Sequence, residues 1–372
     1  MRSGKQGILP CQAIFCMLKD GAIQAIQPVD AQQVQPASID LRLGQYAYPV
    51  NTSFLPGSGV SVLEKMRQID AHFDKFRIDI TGGAVLEKGR VYVIPLLEFL
   101  ALADDTTAFA NPKSSTGRLD ILTRLIADGS TIFDQLQKGY KGQLYIEIAP
   151  RSFSIVVKTG IRLNQLRFRR GNATIKAAEW KQLLDSKQVT DSGQSYPVEE
   201  AGMLRFTVDL KGDGKEGALI GYRAKKNVGR IDLENRGYDP LDYWETIYCR
   251  KNSSLILDPD EFYILMTKEA VAVPADYAAE MMAYDTRAGE FRVHYAGFCD
   301  PGFGVDTATG KAGNSRAVLE VRSHEVPFLL EHGQTVGWLR YERMSERPDR
   351  LYGQEMNSNY QGQSLKLAKQ FG

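Results

Sequence analysis

No apolar stretch of this sequence approaches the roughly 20 residues that a membrane-spanning helix needs, so no role in a membrane is expected. Charge of one sign is missing too. Against 46 Lys and Arg stand 45 Asp and Glu, a formal charge of +1. That excludes the broad basic field of a dedicated nucleic-acid binder and confines any anion site to a local cluster. Cysteine is scarce: Cys11, Cys16, Cys249 and Cys299 show neither a disulfide framework nor a Cys-x-x-Cys spacing, which suits core thiols in a reducing compartment. The N-terminal stretch runs from apolar residues into Lys19 and Asp20 with no small-residue cleavage site, so a cytoplasmic protein is expected. What is present is ordinary globular material. The 372 residues, 43% hydrophobic and 24% charged, suffice for two domains with full cores.

Pro10 to Asp20 reads as a short helix, because Cys11, Ile14, Phe15 and Leu18 share one face and Gly21 stops it. Ser38 to Gly44, SIDLRLG, alternates Ile39, Leu41 and Leu43 against Asp40 and Arg42, the pattern of a half-buried strand. Arg77 to Ile80, Val91 to Leu97 and Phe99 to Ala103 follow as short strands, and alternation resumes from Tyr140 to Phe168. Many short strands at regular spacing predict a mainly β sandwich or closed barrel with a few short helices. Residues 171–200 read as a linker carrying a helix over Ala177 to Ser186. They divide a first domain, 1–170, from a second, 201–372. The second ends in a polar arm from Arg350 with too little apolar content for a core of its own.

The two halves repeat. Glu147, Gly160, Leu166, Arg167 and Phe168 recur as Glu320, Gly333, Leu339, Arg340 and Tyr341, every pair 173 residues apart, while SIDL returns as TVDL at Thr207 to Leu210. A shared register over that span predicts a tandem duplication of whole domains. Chemistry gathers between Asn111 and Phe168. Lys113, Ser114, Ser115 and Arg118 crowd one turn, a set suited to phosphate oxygens, with arginine supplying a two-pronged donor. Glu147 then stands alone in an apolar strand, where a carboxylate is costly unless paired or protonated. A strand carboxylate in a salt bridge fits that position as well as a proton carrier does.

These residues resemble the dCTP deaminase branch of the dUTPase-like superfamily across most of the chain, in two copies. In the first half the resemblance rests on SIDLRLG, PKSSTGRL, the GYKG hairpin exit and the IEI strand. In the second it rests on AGFCDPGFG, VLEV around Glu320, GQTVGWLRY, and the tail LYG with SNYQGQ. It implies two tandem distorted β-barrel or jelly-roll domains, assembly as a homo-oligomeric threefold ring, and deamination of dCTP to dUTP and ammonia. A glutamate, Glu147 or Glu320, would shuttle protons, with Ser114 helping to hold the attacking water. Lys113, Ser115, Arg118, Asp134, Asp300, Phe303, Tyr352, Tyr360 and Gln363 would bind substrate. Magnesium would enter on the triphosphate, and dTTP would be an inhibitor. Zinc is not expected: none of His72, His294, His324 and His332 precedes a glutamate by two residues, and Cys11, which follows Pro10, has no cysteine three residues on.

Each copy departs from the family pattern. Only the first keeps the phosphate turn; the second reads MMAYDTRAG there, with Arg287 set against Arg118. Only the second keeps the DPGF hairpin; the first retains Asp134 without the proline. One reading is a composite site of Lys113, Ser114, Ser115 and Arg118 with Asp300, Phe303 and Glu320. The other is a first-half site built on Glu147, covered by tail residues, which a strict ring of three like domains favours. Three functions follow: dCTP deamination, dUTP hydrolysis to dUMP and diphosphate alone or in sequence with it, and nucleotide binding without turnover.

Overall fold

The computed structural model describes residues 5–192, 201–282, 291–294, 297–323, 326–353, 362 and 364–371, of which 291–294 in backbone only. It divides into two compact units, one of residues 1–172 with 229–237, the other of residues 173–228 with 238–372. Each unit is a distorted two-sheet β-barrel of jelly-roll type.

The duplication is written in the strand order. One sheet of the first unit runs Ile121–Ala127, Lys141–Pro150, Val91–Ala101, Tyr46–Val50. Its counterpart in the second unit runs Phe291–His294, Arg316–Ser323, Phe262–Ala270, Leu219–Ala224, the same order when strands are counted along each copy. The other sheet repeats likewise. Gln135–Leu136, Thr106–Pro112, Arg162–Arg170 and Ser38–Arg42 correspond to Phe298–Cys299, Tyr277–Met282, Thr335–Arg343 and Met203–Thr207.

Local sequence explains most elements. The first helix spans Cys11–Lys19 and buries Cys11 and Ile14, while Phe15 and Leu18 of the same expected face are half-buried. The two strands expected between Val91 and Ala103 are one, Val91–Ala101. Pro95, which cannot donate to the ladder, pairs with Tyr145 beside a register shift between Gln143 and Tyr145, the kind of irregularity that tolerates proline inside a sheet. Strand Ser38–Arg42 corrects the half-buried expectation, since all five of its residues are buried. Its charged face goes inside because both charges are paired. Arg42 bonds Glu98, and Asp40 bonds Lys113.

The helix read as part of a linker, Ala177–Asp185, belongs to the second unit, with Trp180 and Leu183 in that unit's core. Trp180 packs on Tyr341 at 5.2 Å between ring centroids. The C-terminal arm is anchored at its end, where Phe371 stacks edge-on against Tyr243 and Trp244 at 5.5 and 5.9 Å. A short excursion of the chain completes the first unit: Ile231–Asp232 pairs in parallel with Ile155–Val157, with Ile231 wholly buried. Among the described residues no helix is long and apolar enough to cross a membrane.

One histidine of the second unit links fold to pH. His332 Nδ1 accepts the Leu210 amide at 3.1 Å and lies 3.5 Å from Asp209. Burial holds the imidazole below its usual range, outweighing the pull of Asp209. The neutral form is therefore the folded one, and its contribution is whole above about pH 6.5, where the unfolded ring is neutral too. As pH falls through that value the unfolded chain takes a proton first and stability is lost. Thermal unfolding between pH 7.5 and 5.5 is expected to show this slope in wild type and a weaker one in His332→Asn, which keeps an acceptor for Leu210. Equal slopes would refute the assignment.

Candidate active site

The turn at 113–118 is built onto the end of strand Arg162–Arg170. That strand carries a bulge against Ser38–Arg42, where Arg162 pairs with Arg42 and Asn164 with Leu41. Leu163 is left as the extra residue, and its carbonyl accepts both the Lys113 amide at 2.9 Å and the Thr116 hydroxyl at 2.8 Å. Clamped there, the chain makes one helical turn, Ser114–Gly117, closed by Arg118 N–H on Ser114 O at 3.1 Å. Thr116, Gly117 and Arg118 are buried, whereas Lys113, Ser114 and Ser115 stay half-buried. The two serine hydroxyls have no protein partner among the described residues. Lys113 is not idle: its Nζ lies 2.5 and 2.6 Å from the two oxygens of buried Asp40. This ties the turn to the SIDLR strand and leaves a third N–H for an anion.

Glu147 lies in strand Lys141–Pro150, in register with Arg124 on one side and Val93 on the other. Its neighbours Ile146 and Ile148 point to the opposite face and are wholly buried. Arg124 donates Nε and Nη2 to the same carboxylate oxygen, Oε1, at 3.0 and 2.5 Å. The same Nη2 reaches Ser53 Oγ at 2.7 Å, and the guanidinium lies 3.9 Å over the Phe133 ring. Glu147 Oε2 is buried without a hydrogen-bond partner among the described residues. On this face Val93, Ile126 and Tyr145 pack with Phe54, Val62, Met66 and Phe73. Burial, then the charge of Asp128, pushes the Tyr145 hydroxyl up to about 12, so it stays protonated. Asp134, with φ of 60°, accepts the Leu125 amide on Oδ1 at 2.6 Å. Its own amide goes to Leu125 O at 3.1 Å, so Asp134 is fixed against the middle of strand Ile121–Ala127. Sequence reasoning missed Arg124, Ser53, Phe133 and Asp40; of these, only Arg124 carried a signal, as the lone cation in the apolar run ILTRLIA.

The second unit holds the other candidates. Asp300 and Phe303, both 7% exposed, sit in the hairpin at 300–304. Tyr352 packs edge-on against Phe303 at 5.6 Å and donates its amide to Pro301 O at 2.9 Å. Gly302 permits this approach, because with φ of 97° a Cβ there would stand 2.9 Å from the Tyr352 backbone. Glu320, 5% exposed, faces away from core residues Leu319 and Val321, in register with Ile264 and His294. Tyr360, Gln363 and Arg287 lie outside the described residues. Lys113, Ser114, Ser115, Arg118, Asp134 and Glu147 thus share the first unit, and Asp300, Phe303, Glu320 and Tyr352 the second.

Two family descriptions match nearly the whole chain. The N-terminal domain of 2'-deoxycytidine 5'-triphosphate deaminase (DCD) covers residues 5–172, and the C-terminal domain of the same enzyme covers residues 176–371. The chain belongs to the 2'-deoxycytidine 5'-triphosphate deaminase family. A crystal structure titled 2'-deoxycytidine 5'-triphosphate deaminase, from Agrobacterium tumefaciens, is similar at 50% identity and TM-score 0.84, covering 91% of this chain and 99% of that one. Curated family relatives match over shorter stretches. A dCTP deaminase of Haloarcula marismortui is 30% identical over 126 residues, 33% of this chain and 60% of the relative. A dUMP-forming dCTP deaminase of Halobacterium salinarum is 30% identical over 132 residues, 35% of this chain and 63% of the relative. The chain therefore spans less than two thirds of the length of these two deaminases.

Proposed function

We propose that this chain deaminates dCTP. Water adds to the ring carbon that bears the amino group and ammonia leaves, so dCTP and water give dUTP and ammonia, a precursor step for pyrimidine deoxynucleotides. The observation that carries this reading is the 112–118 turn. Two uncommitted hydroxyls, Ser114 and Ser115, lie half-buried between a partly exposed lysine and a buried arginine, in a family named for this substrate. In this reading the triphosphate rests on Ser115, Lys113 and Arg118, Ser114 holds the attacking water, and a strand glutamate takes the water's proton and returns one to the departing amine.

Among the described residues no three His, Cys, Asp or Glu side chains are grouped to hold a metal ion. In the same proposal magnesium enters on the triphosphate, whose charge it offsets. A threefold ring and inhibition by dTTP belong to the same proposal. Relatives that carry the words dUMP-forming support a second reading, in which diphosphate is released after deamination. The commitment of Asp134 to the Leu125 amide argues against Asp134 as the residue orienting water for that step. Incubation of the full chain with dCTP and magnesium is expected to release ammonia. Diphosphate in equal amount would favour the second reading, and release of neither would overturn both.

A further inference from the structure

The two copies set their register-equivalent glutamates in different company. Glu147 is opposite an arginine, Arg124, whereas Glu320 is opposite His294. Arg124 is 28% exposed over a carboxylate that is 1% exposed, so the cation lies between the acid and solvent. It is itself fixed on three sides, by Glu147 Oε1, by Ser53 Oγ and by the Phe133 ring. Ser53 opens the segment at 51–77 whose Phe54, Val62, Met66 and Phe73 fill the space over this face of the sheet.

A proton carrier needs an oxygen that water and the departing amine can both approach. Oε1 already receives two N–H groups, and Oε2 is buried with no hydrogen-bond partner among the described residues, a cost that the adjacent guanidinium charge offsets. The neighbouring Asp134 is spent as well, on the Leu125 amide.

We propose that Arg124 has converted Glu147 into a structural strut, which fastens the 51–77 segment over the first unit's sheet, and that the proton carrier of this chain is Glu320. The second half of this statement rests on the deaminase reading; the first does not. Glu320 lies in register with Ile264 and His294, in the copy whose sequence keeps the DPGF hairpin, where Phe303 packs against Tyr352.

Two measurements on one set of variants test this. Ammonia release from dCTP is measured for wild type, Glu147→Gln, Glu320→Gln and the pair Arg124→Leu with Glu147→Leu, and thermal unfolding is followed for these and for Arg124→Leu and Glu147→Leu alone. Glu320→Gln is expected to lose release by about a thousandfold or more, on the scale of a missing proton-transfer group. Glu147→Gln and the double leucine variant are expected to keep it within about threefold, because neither group touches the reaction. Each single leucine variant should melt well below wild type, and the double variant above either single one, since removing both partners leaves no unpaired buried charge. Loss of release in the double leucine variant while it remains folded would overturn the proposal, as would full activity in Glu320→Gln. Silence of the wild type would sink the deaminase reading instead; the strut then stands or falls on melting alone, and additive losses in the two leucine variants would refute it.

Discussion

Replacing Ser114 by alanine is expected to lower the rate of ammonia release from dCTP by about a hundredfold to a thousandfold, the range measured when one hydrogen-bonding group is removed from a reacting oxygen. The expectation rests on what the hydroxyl is not doing. It has no protein partner among the described residues, so its removal breaks nothing in the fold. The turn is held by other groups: the Lys113 amide and Thr116 hydroxyl on Leu163 O, and Arg118 N–H on Ser114 O. Stability should therefore change by less than about 0.5 kcal/mol. The serine next door separates chemistry from binding. Ser115→Ala should raise KM with kcat nearly unchanged, as loss of a phosphate contact does. Equal effects at the two serines, or a Ser114→Ala enzyme of normal kcat, would show that Ser114 does not hold the water.

The second large effect concerns Glu98. This carboxylate is wholly buried and accepts three hydrogen bonds, from the Arg42 amide at 2.8 Å, from Arg42 Nε at 2.8 Å and from Gln33 Nε2 at 3.1 Å. Arg42 completes its fork on the carbonyls of Pro28 and Gln27 at 2.9 and 2.7 Å. Every buried polar atom of the pair is thus matched, the condition under which such a pair is tolerated. Glu98→Ala leaves a 7% exposed arginine without its counter-charge. The cost should be about 3–5 kcal/mol, which for a unit of this size lowers its melting temperature by roughly 10 °C. Arg42→Leu combined with Glu98→Leu should recover much of that loss. A drop in Glu98→Ala no larger than that of an exposed acid would refute the account.

The sequence carried what is local or repeated. The turn at 113–118 was legible because its residues are consecutive, and the duplication because its register is shared over whole domains. Pairings across long separations were not. Nothing in SIDLRLG announces that Asp40 will meet Lys113, 73 residues away, so the strand reads as half-exposed when both its faces are inside. Ile121–Ala127 escaped notice because Arg124 interrupts its apolar run, and that arginine only makes sense once the strand is laid against Glu147. Ala177–Asp185 looked like a linker because it follows the end of the first copy, yet a tryptophan on a short helix is costly to leave in water. Trp180 is 1% exposed.

The excursion at residues 229–237 has a consequence for how the protein is made. Its Ile231–Asp232 strand belongs to the first unit, yet the ribosome delivers it only after residues 173–228 have emerged. Domains fold as units, the N-terminal one first, during synthesis at roughly 5–20 residues per second. The first barrel must therefore wait, its Ile155–Val157 strand open along one edge, while part of the second is already outside the exit tunnel. A nascent chain stalled at the end of the first copy is an unfinished domain, and one released there exposes the edge that Ile231 would have covered.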